Sequence, residues 1–191
     1  VPGLYAKSSA TYTLTVAKGK WEYVSVSMPT ASIYNEKPQT PVLFNYSGDL
    51  GAVTYLYSDK EVKIGDSAWR KWDLDNPPQL NAGTYYMYAQ IAETENYNSF
   101  ITEVYTFVVL KAIPIKNYPD NLTAVYGQKL KDVGLINPDG NAPGTWSWMD
   151  GEEYVGDVSA DAKEFNAKFT PEDTDNYEIL ENIGVNVTVN K

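Results

Sequence analysis

The chain repeats itself. Thr94–Lys111 reads TENYNSFITEVYTFVVLK and Thr174–Lys191 reads TDNYEILENIGVNVTVNK, an offset of 80 residues with no gap between them. Both stretches open Thr-acid-Asn-Tyr, continue into an alternating apolar run and close on lysine. Recurrence at a fixed period means that the fold is assembled from copies of one supersecondary unit.

The alternation says what kind of unit. Thr11–Val16 interleaves Thr with Tyr12, Leu14 and Val16, which places those three side chains on one face of an extended strand. The same period-2 pattern runs through Tyr105–Val109 and through Val185–Val189. Thr84–Ala92 predicts a strand with Tyr85, Met87, Ala89 and Ile91 facing away from Tyr86, Tyr88 and Gln90, and Glu164–Thr170 is its counterpart. Turn-forming clusters lie between: Asn76-Pro77-Pro78, Asn137-Pro138-Asp139-Gly140 and Asp150-Gly151. Asp150-Gly151, between TWSWM and EEYVG, predicts a hairpin turn in which glycine supplies a positive φ. Apolar residues at helical spacing over three turns are not found. The expectation is an all-β chain.

Further registers fix the unit's limits. ASIYNE at Ala31–Glu36 answers TAVYGQ at Thr123–Gln128. Gly51 with TYLYSD answers Gly144 with TWSWMD, so that Tyr55 and Tyr57 correspond to Trp146 and Trp148. Lys18, Lys111 and Lys191 each end an alternating strand. Copies of this size with about seven short strands predict two tandem β-sandwich modules, Gly19–Lys111 and Ala112–Lys191. Residues 1–18 read as the terminal strand of a preceding repeat, or as an extra N-terminal strand paired with the first module. Lys111-Ala112-Ile113-Pro114 passes from one module to the next without a Gly/Ser spacer, which predicts a semi-rigid, end-to-end rod.

Composition excludes several functions. Neither Cys nor His occurs, so disulfides, thiolate or imidazole metal sites and Ser-His-Asp or Cys-His nucleophile systems are ruled out. A net charge of −10 repels phosphates, making nucleic acid and anionic membranes poor partners. Hydrophobic residues at 43% and aromatics at 14% are ample for packed cores. No apolar run reaches bilayer-spanning length and no leader precedes Val1, so the expectation is a soluble fragment without membrane insertion, any signal or anchor lying outside it.

The repeated Thr-acid-Asn-Tyr element sits where one strand ends and the last begins. Its Asn side chain (Asn96, Asn176) suits a tight turn, and its Tyr (Tyr97, Tyr177) is expected to bury its ring between sheets with the hydroxyl capping a loop carbonyl. The motif therefore reads as a structural corner. With AVYGQKL opening the second module, the Phe-Thr-Pro-x-Asp-Thr-x-Asn-Tyr segment at Phe169–Tyr177 and the Val-x-Val-x-Lys ending, the chain resembles the bacterial immunoglobulin-like repeats found in tandem on secreted or wall-anchored surface proteins. The second module matches over nearly its full length. The first departs: Ile91-Ala92-Glu93 replaces Phe-Thr-Pro, and Ser58–Asn76 is longer and richer in Trp. The resemblance implies an extracellular stalk or adhesion segment, with host or matrix proteins or glycans as partners, and no catalytic residues or cofactor.

Trp69 and Trp72 in SAWRKWDLDNPP, with Asp73 and Asp75 beside them, form a candidate carbohydrate site, since sugars stack on indole faces while carboxylates bind hydroxyls. That makes a carbohydrate-binding module, appended to a polysaccharide-active enzyme, the competing function; against it, a Trp of this architecture commonly plugs the core. Trp146 and Trp148 share a strand face and are expected to be buried together, and Trp21 is expected to pack at the joint between copies. The acidic stretches EDTDNYE and SDKEVKIGD lack the spacing of a dedicated calcium loop, and no metal is assigned. A paired-carboxylate glycosidase lacks any one acidic signature, and no enzyme is expected. Lys111 and Lys191 at strand ends raise the idea of Lys–Asn isopeptide bonds, which an intact mass tests. A monomer is expected.

Overall fold

A computed structural model describes residues 3, 9–28, 31–36, 39–46, 48–114, 117–136, 140 and 142–191. The strands are β1 (Ser25–Ser27), β2 (Ser32–Ile33), β3 (Val42–Phe44), β4 (Val53–Ser58), β5 (Arg70–Lys71), β6 (Gly83–Ile91), β7 (Phe100–Ile101) and β8 (Tyr105–Leu110) in the first half. In the second half come β9 (Leu122–Val125), β10 (Gly144–Trp148), β11 (Ser159–Pro171) and β12 (Leu180–Asn190). One short 3-10 turn, Leu130–Asp132, interrupts an all-β, sandwich-like architecture. Among the described residues no helix is long and apolar enough to cross a membrane.

Among the described residues the two halves share no strand. In the first, a sheet ordered β2-β8-β6-β4-β5, with β7 on β6, faces the small ladder β1-β3. Alternation dictates the filling: Tyr85, Met87, Ala89 and Ile91 of β6 turn inward with Tyr55, Tyr57, Phe107 and Val109, and meet Val26 and Leu43 of the small ladder. In the second half, β10-β11-β12-β9 form one sheet. Its inner face, Trp146, Phe169, Val185, Val187 and Val189, is covered by Leu130, Val133 and Val155 from the irregular segments opposite. Where a second ladder was expected, the facing layer among the described residues is loop and 3-10 turn.

Strands pair in corresponding order in the two halves, but in shifted register: Phe107 lies opposite Tyr85, whereas Val187 lies opposite Lys163. Tyr55 pairs with Ala89 and Tyr57 with Met87; Trp146 pairs with Phe169 and Trp148 with Ala167. β2 lies parallel to β8 and β9 parallel to β12. Each chain then leaves the ladder at a tyrosine: the Tyr34 amide donates to Leu110 O and the Tyr126 amide to Asn190 O, both at 2.9 Å.

Three expectations are corrected. Asp150-Gly151 turns the chain, but Gly151 takes no positive φ and β10 pairs with β11, while EEYVG contributes only a bridge from Tyr154 to Lys129. The turn is a loop onto the 3-10 segment, not a hairpin. Thr11–Val16 joins no ladder, and Tyr12, Leu14 and Val16 are 90, 87 and 82% exposed. An alternating sequence makes a strand only when a neighbour supplies hydrogen bonds. Trp146 is buried while Trp148 is only half-buried, its indole N–H donating to Val133 O at 2.9 Å. The Asn137-Pro138-Asp139-Gly140 turn lies outside the described residues except for Gly140.

Phe169 is wholly buried in a core that the first half does not share. Phe169→Ala should cost about 3–5 kcal/mol. Followed by urea denaturation, only the transition of the second half should move; an equal shift of the first would show one cooperative unit instead.

Candidate functional site

The Trp-rich segment folds inward. Trp72 is 2% exposed and lies in the first core, edge-on to Tyr57 with ring centres 5.3 Å apart. Trp69 is 9% exposed and packs edge-on to Tyr88 at 4.6 Å, its indole N–H donating to Lys63 O at 2.8 Å. Tyr88 sits on the face of β6 opposite Met87, so the two indoles grip opposite sides of one sheet. The reason is local: β5 between them is short, and a step of three residues along an extended chain reverses the face. The paired stacking platform expected at Trp69 and Trp72 is therefore not formed.

The carboxylates beside them divide as well. Asp73 accepts from the amides of Asp75 (2.9 Å) and Asn76 (3.1 Å), and these bonds, Asn76's foremost, hold its carboxyl below the usual range. It caps its own turn. Asp75 stays exposed, and with Thr54, Lys71 and Asp73 it borders an open groove of about 540 Å³. Among the described residues no group of three or more Asp and Glu is placed to hold a metal ion.

The corner motif is where the structure concentrates its long-range polar contacts. Around Tyr177 the incoming chain is clamped: the Ala112 amide donates to Asn176 O and the Glu178 amide to Ala112 O, both at 2.9 Å. Lys111 Nζ donates to Thr174 O at 2.6 Å. Around Tyr97 the arrangement recurs, with the Gly19 amide on Asn96 O (2.8 Å), the Asn98 amide on Gly19 O (3.1 Å) and Lys18 Nζ on Thr94 O (2.7 Å) and Glu93. The closing lysine of one strand thus reaches the corner of the following half.

The second corner makes contacts with the first half that the first corner lacks. Asn176 Oδ1 accepts the Ala82 amide at 2.8 Å, while its own amide groups hold Asp173. Tyr177 OH accepts from Asn35 Nδ2 at 2.6 Å, and its ring meets Tyr34 edge-on at 5.3 Å. Asn176 and Tyr177 are buried as a result, with Ala112, Ala142, Ile33 and Tyr34 around them. The Tyr177 hydroxyl thus reaches across the joint. Tyr97 is half-buried, stacked on Trp21 with ring centres 4.4 Å apart, and Asn96 is exposed. Gly48 serves Tyr97: a Cβ there would stand 2.5 Å from the hydroxyl, and its φ of +93° suits glycine. Trp21 is a member of its own half's core.

Sequence reasoning missed Asn35, Ala82 and the pairing of each closing lysine with the next corner. The signal was present for two of these: three lysines ending three strands, and Tyr34-Asn35 answering Tyr126-Gly127. Asn35 and Gly127 share a left-handed backbone, φ +63° and +89°. Ala82 carries no signal, because its backbone amide does the work.

At the far end of the second half, Tyr126 and Tyr154 stand exposed, and Lys129 lies over the Tyr154 ring, 5.2 Å from its centre. Lys129 and Lys131 both bind Glu152, each at 2.7 Å. Compared with known proteins, the chain matches no family model and no curated sequence.

Asn176→Ala removes the acceptor of the half-buried Ala82 amide and should lower stability by about 1 kcal/mol. Asn96→Ala, at an exposed position, should stay within about 0.5 kcal/mol. Equal losses by chemical denaturation would deny the joint any special role. The two ammonium groups bring the Glu152 carboxyl from 4.5 down to about 2. A lowered carboxylate pKa stabilises above the unfolded value and is lost as pH falls through the folded one, here from about pH 4.5 to 2. Carboxyl NMR should find Glu152 titrating near the lower value and returning toward the upper in Lys129→Ala; an ordinary midpoint in the parent would show the ion pairs to be absent in solution.

Proposed function

We propose that the chain is a non-catalytic structural segment, a stalk or spacer with an adhesion role, made of two immunoglobulin-like sandwich modules in series. Resemblance to tandem repeats of bacterial surface proteins supports an extracellular, cell-surface or secreted setting, with host or matrix proteins or glycans as partners. The observation that carries the reading is the joint: the linker's backbone is hydrogen-bonded into the second corner, and Asn176 and Tyr177 reach back to Ala82 and Asn35. A linker whose amides are already satisfied has little freedom to bend. Stiffness is what a spacer requires, and nothing in a catalytic or sugar-stacking role requires that joint.

The carbohydrate-binding reading rests now on the groove that Asp75 borders and Trp72 lines, and not on a pair of indoles side by side, since Trp69 packs on the opposite face of the sheet. Backbone 15N relaxation separates rod from tethered beads: a rod gives both halves one rotational correlation time, and separate times would end the stalk reading. Tryptophan fluorescence during glycan titration should show no saturable change. A saturable change with one glycan, abolished by Asp75→Ala, would instead establish the sugar-binding function.

A further inference from the structure

The two halves treat the same sheet edge differently. In the first, the outer edge of β4 is closed by β5: Tyr57 pairs with Arg70, Leu56 with Lys71, and the Trp72 amide donates to Tyr55 O at 2.8 Å. Side chains complete the cover. Trp72 stands edge-on to Tyr57, and the Arg70 guanidinium lies 4.8 Å from the centre of the same ring and 3.4 Å from Asp59. In the second half β10 takes the place of β4, with Trp146, Trp148 and Asp150 answering Tyr55, Tyr57 and Asp59. Nothing takes the place of β5: among the described residues β10 ends its sheet.

The direction of the backbone at that edge is fixed from its other side. The Met149 amide donates to Asn166 O and the Glu172 amide to Pro143 O, both at 2.9 Å. Antiparallel pairs alternate between bonded and non-bonded, so Thr145 and Ser147 direct their backbone groups to β11, while those of Trp146 and Trp148 point away from it. An open edge of this kind is a template for another strand. Beside it lies a groove of about 360 Å³ whose walls include Trp146, Trp148, Val133 and Leu135. Lys131, which also lines the groove, is held by Glu152 at 2.7 Å. Asp150 is exposed and forms no ion pair among the described residues.

We infer that the open edge of β10 accepts an extended peptide segment of a partner protein as an added antiparallel strand, with the pattern cation-x-aromatic that Arg70-Lys71-Trp72 shows on β4. Its backbone bonds to Trp146 and Trp148, as in other cases of strand addition. Its aromatic side chain enters the groove opposite Trp146, and its cation lies over the Trp148 ring beside Asp150, where Arg70 lies over Tyr57 beside Asp59. Charge selects this occupant over a second copy. A chain of net charge −10 attracts a cationic segment and repels its own kind, and β10 paired with itself brings no cation to Asp150. The inference goes beyond the spacer reading, which needs no ligand.

The probe is a synthetic peptide of residues 67–74, SAWRKWDL, the segment that closes β4. Added to the 15N-labelled chain, it should give saturable shifts at Trp146 and Trp148 and slow hydrogen exchange at both amides by about tenfold or more. The same peptide N-methylated at the amide matching Trp72 lacks the donor and should not bind. Asp150→Asn, which keeps an acceptor for the Glu152 amide, should weaken binding about two- to fivefold, the scale of an exposed ion pair. Binding that survives N-methylation would overturn the inference, as would no shift at millimolar peptide. Shifts confined to Tyr55 and Tyr57 would show the peptide displacing its own counterpart on β4, and would overturn it too. Sedimentation decides the other occupant: a dimer without peptide, its Trp146 and Trp148 amides protected as concentration rises, would assign the edge to a second copy and sink the proposal.

Discussion

Everything that relates the two halves depends on a short stretch of backbone, Ala112 lying parallel to Tyr177. Buried amides and carbonyls must find partners, and a linker normally finds them in water. Here the linker finds them in the corner loop, with Lys111 adding a charged bond to Thr174 O. The absence of a flexible spacer in the sequence acquires a physical meaning: the passage from one core to the next is itself a strand-like pairing. Once that pairing is made, Asn176 and Tyr177 are carried against Asn35 and Ala82, and the buried cluster around Ala112 follows.

The Trp-rich insertion shows a different economy of means. Lys60–Trp69 folds over the outer face of β6, where Trp69 covers Tyr88, and Trp72 then passes to the inner face. One segment therefore closes both sides of a sheet. The composition of that segment resembled a sugar platform because aromatic rings next to carboxylates serve ligand binding and core packing alike. Asp73 was similarly ambiguous, since a carboxylate that caps a turn and one that binds a hydroxyl are the same residue type.

Legibility followed locality. Strands β6, β8, β11 and β12 were readable because each carries its own period-2 pattern, and the pattern sorted their side chains by face; the structure buries the rows that hold Met87, Phe107, Phe169 and Val187. The supposed hairpin at Asp150-Gly151 failed because a turn sequence specifies a reversal and not the strand that pairs next; β11 outcompeted EEYVG for β10. Thr11–Val16 failed for the complementary reason. Its pattern is intact, but a strand needs an edge to pair with. The candidate joint was half legible: its corner and lysines repeat in the sequence, while their mutual contact spans the boundary between copies.

The sequence alone determined the β character and the sorting of side chains onto the two faces of the long strands, because each is encoded in the order of neighbouring side chains. Tertiary structure decided which copies of a motif are covered. Asn96-Tyr97 and Asn176-Tyr177 are the same dipeptide, yet one asparagine is exposed and the other buried. The difference lies in Asn35 and Ala82, more than ninety positions away in the chain from the residues they bind. No local pattern records a contact at that distance; it exists only once both cores have folded and the linker has been drawn into the corner.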